Sequence, residues 1–231
     1  MQTSQTLRWH LYPDTAELVD RAVSAIHRMA EHAILARGEF SIVLAGGTTP
    51  KALYQRLVPL FTDWSRWSVY FGDERCLPVD DPERNSRMAR DAWLAHVPLR
   101  PERIYPIPAE LGPDLGARAY DDVLKHVGSF DLVLLGLGED GHTASLFPGQ
   151  NWGQRMDDPM ALAVRGAPKP PPERVSVSAN RLSHAREVMV LVNGAGKADA
   201  VAAWRAGERL PIAAIVPDAG VDVLITTDAW G

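Results

Sequence analysis

A chain of 231 residues, 46% hydrophobic and 23% charged, has room for one large α/β domain with a sizeable core and carries no compositional sign of disorder. Its formal net charge is −5 and its lysines and arginines are scattered, so it lacks the basic footprint of a nucleic-acid binder. The lone Cys76 excludes an intrachain disulfide, no basic-then-apolar leader opens the chain, and no apolar stretch approaches the roughly 18 residues of a membrane span, so a cytoplasmic location is expected.

LRWHLY (7–12) reads as a strand, and Asp14 offers an N-cap for a long helix whose apolar stripe is Leu18, Val19, Ala22, Ile26, Met29, Ala30 and Ala33. FSIVLA (40–45) is the next strand, followed by a helix with Thr49 at its N-cap and Pro50 in its first position. WSVYFG (67–72) precedes a helix from about Asn85 and another around 114–127. FDLVLLG (130–136), RVSVSA (174–179), EVMVLV (187–192), a helix from about Lys197 to Ala206, and VDVLIT (221–226) complete the alternation.

Near-continuous apolar strands such as SIVLA and LVLLG suit a sheet covered on both faces. The expected architecture is a three-layer, Rossmann-like α/β fold, with a mostly parallel sheet and helices on both faces, forming a single domain over residues 1–231. PKPPPE (168–173) is a rigid loop too short to mark a boundary. In such sheets ligands bind beyond the carboxyl ends of the strands, so function is sought in the loops that follow them.

Four loops carry chemistry. Gly46, Gly47, Thr48 and Thr49 join a strand to a helix start, where glycines admit an anion to the backbone and the helix dipole favours it; a tight turn without a ligand uses the same residues. After the next strand, Gly72, Asp73, Glu74 and Arg75 offer a guanidinium to clamp an anion and acids to orient it or move a proton, unless they form an ordinary charged surface loop. The neighbouring Cys76 reads as a small hydrophobe.

The third loop, LVLLGLGEDGHTASLFPG, spells G-x-G-x-x-G at Gly136, Gly138 and Gly141. A dinucleotide site needs a helix and second strand after the last glycine, with an acid about 20 residues on. Asp157 and Asp158 lie at that distance, but Pro148, Gly149, Asn151 and Gly153 leave no room for the βαβ unit. Glu139 and Asp140 would also oppose a pyrophosphate. The glycines instead let a tight turn carry Asp140 and His142, with His142 as general base and Asp140 as its orienter or a second acid–base group. Asp-x-His as a metal pair, or a histidine that merely caps the turn, are the competing readings; clustered metal-ligand spacing is lacking. In the fourth loop, NGAGKADAV has Leu191 where a Walker motif has its first glycine and Ala198 where it has Ser or Thr. Lys197 at a helix start and Arg174 after the proline loop become meaningful if an anion lies between them; singly, each is an ordinary surface cation.

Taken in order along nearly the whole chain, AGGTTPKALY, FGDERCLPVDDPERNS, LLGLGEDGHTASLFPG, PPERVSVS and NGAGKADAV resemble the 6-phosphogluconolactonase family. The resemblance implies a fold shared with glucosamine-6-phosphate deaminase. It also implies hydrolysis of 6-phospho-D-glucono-1,5-lactone to 6-phospho-D-gluconate in the oxidative pentose phosphate pathway, without metal or other cofactor. On the matching positions it makes His142 the base that deprotonates water, with Asp140 beside it and Arg75 on the substrate or its developing charge. It assigns the phosphate to Gly46, Gly47, Thr48, Arg174 and Lys197, with Asp73 and Glu74 as further substrate contacts. The sister deaminase loop resembles DGHIAFNEP, with a glutamate after the histidine; here no carboxylate lies between His142 and Pro148, which favours water attack on a lactone. A sugar-phosphate isomerase or deaminase, or a non-catalytic sugar-phosphate-binding module, remain the alternatives. The expected partner is a small sugar-phosphate lactone, with no nucleic acid or membrane; oligomeric state is left open.

Overall fold

The structure is a computed structural model and describes residues 5–231. In chain order its strands are β1 (Leu7–Tyr12), β2 (Phe40–Leu44), β3 (Trp67–Phe71), β4 (Asp73–Arg75), β5 (Ile104–Tyr105), β6 (Phe130–Gly136), β7 (Ala161–Val164), β8 (Arg174–Val177), β9 (Ala185–Val192) and β10 (Val221–Thr226). Its helices are α1 (Thr15–Arg37), α2 (Thr48–Leu57), α3 (Asn85–Ala92), α4 (Pro113–Leu124), α5 (Ala179–Ser183), α6 (Ala198–Arg205) and α7 (Thr227–Trp230), with short 3₁₀ turns between them.

Local chemistry sets the long first helix. The Asp14 carboxylate accepts from the Glu17 amide, and Gly38, at φ 81°, ends the helix by donating its N–H to the Ile34 carbonyl. The stripe Leu18, Val19, Ala22, Ile26, Ala30 and Ala33 is buried, with Met29 packed partly buried beside it.

Seven strands form one sheet in the order β1-β10-β9-β6-β2-β3-β5, and every pairing in it is parallel. Both alternating faces of β3, and of β6 up to its last residue, are buried, as strands between two helical layers must be. From β2 the chain builds outward through β3 to β5; from β6 it builds the other way through β9 to β10. The central pair β2 and β6 is therefore the topological switch point, where the loops leaving adjacent strands part in opposite directions and open a crevice.

The stretch 174–179 departs from expectation. It does not extend the parallel sheet; β8 sits between β4 and β7 in a separate three-stranded antiparallel sheet, and at Ser178 the chain turns into α5. β4 follows β3 after only Gly72, whose amide donates to the Leu44 carbonyl while its own carbonyl accepts from Val177. The small sheet is thus hinged onto the carboxyl end of the large one.

Two buried tyrosines pin the strand ends that enter the crevice. The Tyr54 hydroxyl accepts from the Ala45 amide at 3.0 Å and donates to the Ala45 carbonyl at 2.8 Å. The Tyr120 hydroxyl accepts from the Phe71 amide at 3.0 Å. Desolvation raises the pKa of both phenols, so they remain neutral hydrogen-bonding groups.

Candidate active site

A cleft of about 310 Å³ opens at the switch point, walled by the ends of β2 and β6, the β4–β8 sheet and the turn before α6. It brings together His142, Arg75, Arg174, Lys197, Asp73, Gly46 and Gly47 from five separate segments of the chain.

The turn after β6 is shaped around His142. Gly138 donates its amide to the His142 carbonyl at 2.7 Å, and a Cβ at Gly138 would stand 2.0 Å from His142 Nδ1, so only glycine fits. Gly141, at φ 80°, takes a conformation that side chains rarely adopt, and a Cβ there would press on Leu210. The Thr143 hydroxyl ties the turn back to the Gly136 carbonyl at 2.9 Å. Ala144, lining the cleft, holds φ at 47°, a left-handed backbone that a non-glycine residue adopts only under constraint.

Asp140 Oδ1 lies 2.5 Å from His142 Nδ1 and also accepts from the His142 amide at 3.2 Å. A carboxylate accepts, so Nδ1 carries the proton and Nε2 keeps its lone pair. Partial burial pushes the Asp140 carboxyl up, but hydrogen bonding and charge from His142 outweigh it, leaving Asp140 below the usual carboxylate range. Asp140 itself stands behind the histidine, outside the cleft lining.

Across the cleft, β4 and β8 pair so that Arg75 stands directly opposite Arg174. Burial pushes the Arg174 guanidinium down; Asp73 opposes that effect and Arg75 adds to it. Arg174 is held by three consecutive carbonyls of the proline loop: Nη2 donates to Lys169 at 2.9 Å and Pro170 at 3.2 Å, and Nε to Pro171 at 3.1 Å. Arg75 donates to the Glu83 carbonyl, while its buried Nε has no hydrogen-bond partner. Phe147 fills the space between base and cation, 4.8 Å from the His142 ring and 5.6 Å from the Arg174 guanidinium carbon.

The two neighbouring acids part company. Asp73 lines the cleft, accepting from Ser145 Oγ at 2.5 Å and Asn85 Nδ2 at 3.0 Å. Glu74, grouped with it in the sequence as a substrate contact, is fully buried on the opposite side of β4, because alternation along a strand sends successive side chains to opposite faces. Its carboxylate accepts the Asn85 amide at 2.7 Å and the Ser86 amide at 2.8 Å, capping α3, and lies 3.4 Å from Arg84 Nε.

In the glycine loop, Gly46 is required by close approach: an added Cβ would stand 2.1 Å from Asn85 Oδ1. Thr49 is not the N-cap of α2. Gly47, at φ 107°, turns the chain sharply enough for the helix to begin at Thr48, leaving its first amides without a side-chain cap. Thr49 Oγ1 instead accepts from Asn193 Nδ2 at 3.4 Å. Thr48 is exposed and lies outside the cleft lining. Lys197 lines the cleft from the turn before α6.

Sequence reasoning missed Asn85, Ser145, Phe147 and Lys169. Three of these stand inside quoted motifs and Lys169 in the proline loop, but their partners are distant in sequence. Cys76 lies outside the cleft lining, and burial pushes its thiol up to about 11. Among the described residues, no three His, Cys, Asp or Glu side chains gather as a metal site needs, and no helix is long and apolar enough to cross a membrane.

Fold and cleft together define an α/β protein that sets a His–Asp pair against a cationic wall at the switch point of a parallel sheet. The chain belongs to the glucosamine-6-phosphate isomerase/6-phosphogluconolactonase family, whose model matches residues 13–224. It is 38% identical over 231 residues to a 6-phosphogluconolactonase of Mycobacterium leprae, covering 94% of this chain and 92% of that one. A 6-phosphogluconolactonase of Synechocystis sp. is 38% identical over 196 residues, covering 80% of this chain and 79% of the relative. The solved structure of 6-phosphogluconolactonase from Trypanosoma brucei matches with a TM-score of 0.86 at 27% identity, over 98% of both chains. A monomeric glucosamine-6-phosphate deaminase shares the fold, with a TM-score of 0.82 at 22% identity over 96% of this chain and 98% of that one.

Proposed function

We propose that this protein hydrolyses 6-phospho-D-glucono-1,5-lactone to 6-phospho-D-gluconate, a step of the oxidative pentose phosphate pathway, using water activated by His142 without a metal ion. The observation that carries the reading is the placement of the Asp140-supported His142 in one cleft with the opposed Arg75 and Arg174. The names borne by the relatives support the substrate. The absence of a carboxylate at Thr143–Phe147 favours lactone hydrolysis over deamination.

In this mechanism the phosphate is held by Arg174 and Lys197 with the Gly46–Gly47 turn, which places the lactone carbonyl near His142 and converts a bimolecular attack into a positioned one. His142 Nε2 takes a proton from water as its oxygen bonds to the carbonyl carbon. Arg75, which lines the cleft, supplies positive charge to offset the negative charge that forms. Collapse of the tetrahedral intermediate breaks the bond to the ring oxygen, which receives the proton from His142; the new carboxylic acid then ionises in water. Asp140 keeps the ring in one tautomer throughout.

A continuous assay of 6-phosphogluconolactone hydrolysis, corrected for the spontaneous rate, tests the proposal. Saturable turnover above that rate is expected. Ammonia release from glucosamine 6-phosphate without lactone turnover would assign the protein to the deaminases, and binding without turnover would make it a sugar-phosphate-binding module.

A further inference from the structure

Hydrolysis leaves Glu139, in the turn that carries Asp140 and His142, without a task. Each of its carboxylate oxygens meets a different lysine: Oε2 lies 4.0 Å from Lys169 Nζ and Oε1 lies 4.0 Å from Lys197 Nζ. The lysines come from opposite banks, Lys169 from the proline loop gripped by Arg174 and Lys197 from the turn before α6, and both line the cleft. Glu139 stands outside the lining, over Gly196, where an added Cβ would be 3.6 Å from Oε1. Its side chain is 62% exposed.

We infer that Glu139 is a resident stand-in for the substrate's phosphate. In the empty cleft it bridges Lys169 and Lys197; when substrate enters, it yields both lysines to the phosphate. Lys169 is then a further phosphate-binding residue, and Glu139 competes with the phosphate for both lysines. The inference rests on the phosphate site proposed above.

The physical argument is one of exchange. Exposed ion pairs at this separation are weak and screened by salt, so the bridge opens readily. A phosphate monoester brings close to two negative charges and three acceptor oxygens against the single charge and two oxygens of the carboxylate, so exchange favours the phosphate. A neutral lactone has no anion to trade and leaves the lysines bridged. The cleft lining itself sets Arg75, Arg174, Lys169 and Lys197 against the single charge of Asp73, a net positive surface that draws in an anion.

The test is Glu139→Gln, which keeps the shape and removes the charge, made in the wild-type chain and in a Lys169→Ala/Lys197→Ala background. In the wild-type background, KM for the phosphorylated lactone and the inhibition constant of inorganic phosphate should both fall about three- to fivefold, the scale of exposed ion pairs, while kcat moves less than about twofold. In the double-lysine background the same substitution should change neither constant. A rise in KM would mean that Glu139 merely organises the lysines, and an equal fall in both backgrounds would mean repulsion through space; either result overturns the inference. Lys169→Ala alone should raise KM about threefold, and an unchanged KM would remove it from the phosphate site. If the wild-type protein turns over the lactone and is inhibited by phosphate, yet Glu139→Gln moves nothing, this inference alone fails. If wild type shows neither behaviour, the proposed function fails first.

Discussion

Arg75 and Arg174 occupy directly opposed positions of an antiparallel strand pair, and neither has a carboxylate within 4.0 Å among the described residues. Two like charges held side by side in a cleft raise each other's need for an anion, and like-charged cross-strand neighbours are unfavourable without one. Arg174→Ala is expected to raise KM for the phosphorylated lactone about 10- to 100-fold, the scale of a hydrogen bond to a charged group. Arg174→Lys should restore only part of this loss, because the planar fork that spans several carbonyls is gone. Lys197→Ala, at the more open rim, should raise KM less. Initial-rate kinetics corrected for spontaneous hydrolysis decide the matter, and an unmoved KM in these variants would dissolve the phosphate site.

For the base, His142→Ala and His142→Gln should each lower kcat about 10²- to 10⁴-fold, the usual contribution of general acid–base catalysis, while circular dichroism stays that of wild type. Full activity in a folded variant would withdraw the role.

Asp140 carries a dependence on pH whose sign follows from its depressed carboxyl. The stabilisation it draws from His142 is fully present above the unfolded carboxylate value of about 3.9 and is lost as pH falls through the lower folded value. Melting temperatures of wild type and Asp140→Asn should therefore differ near neutral pH and converge in acid. A difference that persists or grows in acid would contradict the pairing.

Gly138 and Gly136 belong to one motif but should respond differently to alanine. A Cβ at Gly138 would meet His142 Nδ1 at 2.0 Å, whereas one at Gly136 meets no atom within 4 Å. Gly138→Ala must displace the imidazole from Asp140, and kcat should fall about 100-fold, within the range of a lost acid–base group. Gly136→Ala should lose far less. Equal losses would show that the pair tolerates displacement.

Glu74→Gln separates structure from chemistry. Removing the charge that caps α3 and faces the buried Arg84 should destabilise by about 2–3 kcal/mol, moderated because Arg84 keeps its 2.8 Å contact with Glu110. Thermal unfolding should begin about 5–10 °C lower, while KM at low temperature is unchanged. A raised KM at full stability would return Glu74 to the substrate.

Much of this architecture is legible along the chain. The apolar stripe from Leu18 to Ala33, the buried runs of β3 and β6, and the glycine-bounded turns announce themselves because helices and strands bury side chains at fixed periods. RVSVSA reads equally well as a strand of either sheet, since a run of four paired residues carries no mark of its partner. Thr49 loses the cap to Gly47 because a positive φ two residues earlier starts the helix sooner, which propensity alone does not reveal. Asn85 and Phe147 escape notice because the atoms they touch, beside Gly46 and Arg174, are brought to them only by folding.

From residue order alone came the parallel α/β class, the Asp140–His142 pair and the family resemblance, since each depends on neighbours within a few positions. Tertiary structure alone decided that Asp73 enters the cleft while Glu74 turns to cap α3, that Arg75 faces Arg174, and that Glu139 reaches two lysines from opposite banks. Those relations depend on which strands lie side by side and on how far charges stand apart in space. Such distances are set when strands and loops remote in sequence pack against one another, and no local pattern records them.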